Sequence, residues 1–175
     1  MHRAFAVVSL LLAALGPSRT AAAAEIDCRT ARWLGHGPAI NVGHIFCGEY
    51  RRRPDGYHSE AIFPTPLVTG VSDRQDIGRG LYNGRVSFEG GERKFSTFYP
   101  RACTVEMVVR SIRYAVAQPQ TPKQNGWGFV AASAPGNATG ADGFCLGSDG
   151  RPFTIRYGLM SRGDVNTAFP DGPGR

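Results

Sequence analysis

Two histidines, His44 and His58, stand in one short polar stretch, GHIFCGEYRRRPDGYHS. Histidine is the side chain that both takes and gives a proton near neutral pH. A neutral and a protonated histidine together meet the needs of in-line phosphoryl transfer from a ribose 2′-OH. One takes the hydroxyl proton while the other protonates the departing 5′-oxygen. A cation is then needed where charge builds on the phosphate. Lys94 is the better of the two lysines for that role, since it stands on a patterned strand with Ser96 and Phe98 on its face, whereas Lys123 falls in an irregular stretch. Near the end, VNTAFP puts Thr167 and Phe169 two apart, so on a strand they share a face. A ring beside a hydroxyl suits a nucleobase, the ring stacking and the hydroxyl bonding an edge. Zinc is the competing chemistry, with His36, His44, Cys47 and His58 as ligands. The spacing is loose for zinc, and a disulfide at Cys47 removes the thiolate.

The elements that must carry these residues are legible mainly in the second half. Val86 and Phe88 lead into Gly90–Gly91, and Phe95, Thr97 and Tyr99 follow, which predicts a hairpin. Thr104 is placed to cap a helix in which Val105, Val108, Val109, Ile112 and Val116 recur at helical spacing and which Pro119 ends. Residues 153–159 and 165–169 read as two strands around a turn at 161–164, and residues 120–150 as irregular. Residues 25–78 are rich in turns and predict only short strands or helical turns. The expected class is α+β, an antiparallel sheet with packed helices.

Composition bounds the possibilities. The chain has 175 residues, a formal charge of +6, 42% apolar and 19% charged residues, with 23 glycines and 12 prolines. This excludes a disordered acidic chain, a coiled coil and a multi-span membrane protein. The basic balance favours an anionic partner. Arg3, the apolar run Ala4–Leu15 and the small residues Ala21–Ala24 read as a secretory signal over residues 1–24, leaving one domain over 25–175. The product would be secreted or periplasmic, with no membrane attachment after cleavage. Export suits Cys28, Cys47, Cys103 and Cys145, an even set that predicts two disulfides. Three pairings are open; Cys28–Cys47 with Cys103–Cys145 closes modest loops and is favoured.

The assembled pattern resembles the bacterial branch of the EndoU-type endoribonucleases. GHIFCGEYRRRPDGYHS is similar to that family's paired-histidine segment, RKFSTFYP to its Lys-x-Ser-Thr-Phe-aromatic-Pro segment, GWGF to a Trp-x-Gly stretch, and FTIRYGLMSRGDVNTAFP to its terminal hairpin. The likeness runs from about Ala39 to Pro170, and four pieces in the right order are far more specific than any one. It implies an EndoU-like fold and cleavage of single-stranded, pyrimidine-containing RNA, often at uridine, leaving a 2′,3′-cyclic phosphate. It implies His44 and His58 as acid and base, Lys94 as the cation, and Thr167 at the base. Phe169 replaces the family's usual tyrosine, keeping the stack and losing the phenol. The scheme calls for no metal and no cofactor. Family members are often toxin warheads, which implies a cognate immunity protein as a second partner; a toxin, a scavenging nuclease or an effector would all fit export. The alternative is a catalytically inactive secreted module that binds RNA or protein on the same fold.

Overall fold

The computed structural model describes residues 26–30 and 32–172, so the signal-peptide assignment lies outside the described residues. Among the described residues the regular elements are antiparallel strands with one long helix, an α+β arrangement. A single π-helical turn, Gly43–Cys47, precedes a minimal hairpin of β1 (Glu49–Tyr50) and β2 (Pro54–Asp55). Strands β3 (Val68–Asp76), β4 (Tyr82–Phe88) and β5 (Arg93–Phe98) form a three-stranded sheet in that order. Helix α1 spans Val105–Ala117. Strands β6 (Thr121–Pro122), β7 (Phe129–Ala132), β8 (Thr154–Leu159) and β9 (Val165–Pro170) form a four-stranded sheet, also in chain order.

The β4–β5 hairpin, the helix and the β8–β9 hairpin match the sequence reading. Thr104 caps α1 by accepting the Met107 N–H, and Val108, Val109, Ile112 and Ala115 bury one face. Two expectations need correcting. Residues 25–78 hold a nine-residue strand, β3, in place of short pieces only. The irregular stretch from 120 to 150 contains β7, an inner strand of the larger sheet.

Two apolar cores result. The larger joins α1 to β8, β9 and the π turn through Ile45, Phe46, Ile112, Ile155, Tyr157 and Val165. The smaller lies on the β3–β4–β5 sheet and includes Val68, Val86, Phe88, Phe98 and Tyr57. His44 thus stands on a turn anchored in the first core, and His58 follows a tyrosine anchored in the second. The two disulfides are Cys28–Cys47 and Cys103–Cys145, each with Cα atoms 5.3 Å apart. The first ties residue 28 to the end of the π turn, and the second ties the approach to α1 to residue 145. Among the described residues no helix is long and apolar enough to cross a membrane.

Candidate active site

The π turn is fixed to the edge of β9. Ile40 bridges Val165 in parallel, and the Asn41 N–H donates to the Val165 carbonyl at 2.9 Å. Buried Asn41 then acts as a hub. Its Oδ1 accepts the His44 N–H at 3.0 Å, and its Nδ2 donates to Glu49 Oε1 at 3.2 Å and Asn166 Oδ1 at 3.3 Å. His44 is buried, and its Nδ1 lies 3.5 Å from Glu49 Oε2. The His44 side chain holds the Glu49 carboxyl down at about 2 against the opposing effect of burial, so Glu49 is an anion across the physiological range.

The His58 segment runs against both the turn and β5. The Tyr57 and His58 N–H groups donate to the His44 and Ile45 carbonyls at 2.6 and 2.7 Å, and the Tyr99 N–H donates to the His58 carbonyl at 3.0 Å. Gly56 makes this approach achievable. Its φ is 70°, and a Cβ there would lie 2.2 Å from the His44 carbonyl oxygen. Nδ1 of His58 is 3.1 Å from the Thr97 carbonyl and 3.0 Å from Ser96 Oγ. The carbonyl only accepts, and the Ser96 hydroxyl already donates to the Tyr57 carbonyl at 2.8 Å. Both contacts therefore fit a proton on Nδ1 and a free lone pair on Nε2. Burial, then the charges of Lys94 and His44, hold the His58 pKa well below the usual imidazole value.

The two imidazole centroids are 5.7 Å apart. They line one open cleft of about 500 Å³ together with Lys94, Thr167 and Phe169, so every residue singled out for catalysis or base contact meets there. Lys94 donates to the Gly56 carbonyl at 2.7 Å and faces Asp55 Oδ1 at 3.4 Å. Burial lowers its pKa, with Asp55 opposing. Buried Thr167 has an Oγ1 with no hydrogen-bond partner, an orphan acceptor and donor on the cleft wall. Phe169 departs from the sequence reading in one respect, because its ring already stacks on His58 at 4.9 Å and also contacts Trp127 at 5.9 Å. It buttresses the histidine and leaves part of its ring for a ligand.

Lys123, the other lysine, and two further cations fall elsewhere. Arg74 pairs with Glu60, Arg85 with Asp73 and Lys123 with Asp171, and none of the three lines the cleft. Cys47 is in a disulfide, so the zinc set lacks its thiolate, and no metal-holding group of three His, Cys, Asp or Glu side chains occurs among the described residues. Sequence reasoning missed Glu49, Asn41, Asp55, Asn166 and the part played by Trp127. Trp127 is 52% exposed and lines the cleft beneath the Arg156 guanidinium, which lies 4.5 Å from its ring. The only sequence signal for Glu49 was its place between the two histidines.

The family described as "Bacterial EndoU nuclease" matches residues 39–172, the span that holds both histidines, Lys94 and the β8–β9 hairpin. The chain belongs to the bacterial EndoU nucleases. A protein of Bacillus cereus named "Toxin" is 35% identical to this EndoU chain over 80 residues, 41% of the chain. The match spans only 14% of that relative's own length. No solved structure is significantly similar to the chain.

Proposed function

We propose that the chain is an exported endoribonuclease on an EndoU-like fold, with one catalytic domain over residues 25–175 released from a signal peptide over 1–24. It cleaves single-stranded RNA after a pyrimidine, uridine first, by attack of the 2′-oxygen on the adjacent phosphorus. The observation that carries this reading is the pair of histidines 5.7 Å apart in one cleft with opposite electrostatic surroundings. His58 is neutral, with Nε2 unprotonated, and serves as general base. His44 has the Glu49 carboxylate 3.5 Å from its Nδ1, which orients the ring, and serves as general acid.

The step balances with these two groups. His58 takes the 2′-OH proton as the 2′-O–P bond forms, and His44 gives a proton to the 5′-oxygen as the P–O5′ bond breaks. The products are a 2′,3′-cyclic phosphate and a 5′-hydroxyl, and the histidines end in exchanged protonation states. Lys94 supplies the cation for the phosphate oxygens. Thr167 Oγ1 bonds the base edge, and the free part of the Phe169 ring stacks on the base. No metal takes part in this scheme. The two disulfides suit a secreted or periplasmic protein, and the name of the Bacillus cereus relative supports a toxin role with a cognate immunity protein.

The test is incubation of the oxidised protein with a uridine-containing RNA, with and without chelator, followed by identification of the product ends. Cyclic phosphate and 5′-hydroxyl ends are expected in both conditions, with DNA and 2′-O-methyl RNA resistant. Cleavage of DNA at a similar rate, or 5′-phosphate ends, overturns the mechanism.

A further inference from the structure

The β1–β2 hairpin carries three consecutive arginines at its tip. Its register pairs Glu49 with Asp55 and Tyr50 with Pro54, so Arg51, Arg52 and Arg53 form the connecting loop, and all three are exposed. They line a second hollow of about 300 Å³. This hollow shares His44, Asp55 and Asn166 with the catalytic cleft, so the two are continuous and His44 stands between them. The acidic groups at its floor are already engaged. Asp55 faces Lys94 and accepts the Gly56 N–H, and Glu49 faces His44, Asn41 and Arg51. Arg52 and Arg53 make no ion pair with the described residues, so their charge is open to a ligand. A guanidinium fork matches a phosphate better than any other anion a polynucleotide offers.

The roles given to the histidines orient the strand. The group that leaves is the 5′-oxygen of the downstream nucleotide, and it takes its proton from His44. The downstream strand therefore lies on the His44 side of the cleft, which is the side of the arginine hollow. The upstream base lies on the other side, at Thr167 and Phe169. We propose that Arg52 and Arg53 form a subsite for the first phosphate downstream of the cleaved bond, which fixes the strand's direction through the site. This rests on the ribonuclease reading above and adds to it a polarity and a phosphate contact.

Three substrates with a single ribouridine test it. One is a dinucleotide whose only phosphate is the cleaved one. The second adds one deoxynucleotide downstream, and the third adds one upstream. In the parent, downstream extension should raise kcat/KM about tenfold, the size of one charge-assisted contact. In the Arg52→Ala/Arg53→Ala double variant that ratio should fall to about one, with Arg52→Lys/Arg53→Lys in between. The upstream ratio should be the same in all three proteins. The downstream gain should also weaken with salt, by a log–log slope of about 0.7 for one phosphate on a single strand. Each ratio is internal to one protein, so a loss of folded material does not alter it. A parent-like downstream ratio in the alanine variant, or a loss that falls on the upstream extension, overturns the subsite. A parent that cuts none of the three overturns the ribonuclease reading, and the subsite with it.

Discussion

His44 and His58 are the same residue in one cleft, yet the fold treats them in opposite ways. His44 rides on a π turn tied to β9 and to a disulfide, with a carboxylate 3.5 Å from its Nδ1. His58 lies along β5, with a carbonyl and a hydroxyl at its Nδ1, Phe169 stacked on its ring and Lys94 nearby. The first setting puts an anion beside the ring, and the second holds its ring neutral. Both rings are buried, so side-chain identity and burial do not by themselves separate an acid from a base; the neighbouring groups do.

The strongest way to break the comparison is to remove each ring. His44→Ala and His58→Ala should each lower kcat/KM on RNA by about 10²-fold or more. With uridine 3′-(p-nitrophenyl phosphate), whose leaving group is a stable anion without a proton, His44→Ala should recover most of the rate and His58→Ala should not. Equal recovery by both would sink the assignment. Next in size, Gly56→Ala should pull the two regions apart, because the added Cβ meets the His44 carbonyl at 2.2 Å and the backbone is left-handed there. Urea unfolding should show a loss of about 1–3 kcal/mol, with activity falling further than stability explains.

Glu49→Gln removes the anion from the acid's side alone. The rate should fall by about three- to tenfold, because the ring that gives the proton loses the carboxylate that orients it. The acid limb should stay well below pH 6.5, where the depressed His58 pKa puts it. The smallest effect is on stability against pH. The unfolded chain binds a proton to His58 below about pH 6.5 and the folded chain does not, so stability falls as pH drops through that region. Glu49 adds a second loss between its ordinary value of 4.5 and its folded value of about 2, because its ionised form is the one the fold favours. Thermal melts of parent and His58→Asn across pH 5–7 should show a flatter profile for the variant.

The candidate site was legible in the sequence where chemistry sits in short motifs. His44 and His58, the Lys94 strand and the Thr167–Phe169 alternation all declare a residue type with a local spacing, and all line the one cleft. What sets their states is not local. Glu49 matters because Asn41 and the π turn hold it beside His44, and Phe169 supports His58 across a gap of more than a hundred residues. The same limit applies to the fold. α1 and the two hairpins follow from periodicity, caps and turns. β3 was hidden because register shifts break its alternation and only Val68 and Val71 are buried. β7 was hidden because FVAA is short and becomes a strand only by pairing with β6 and β8.

The bridge between Ile40 and Val165 also bears on timing. The turn that holds His44 finds its neighbour only when β9 docks, and β9 brings Thr167 and Phe169 with it. A nascent chain that has not yet reached Val165 has both histidines but no cleft. On the proposed ribonuclease reading, the ribosome that makes the chain, itself built of RNA, therefore meets no completed cleft until Val165 has been added.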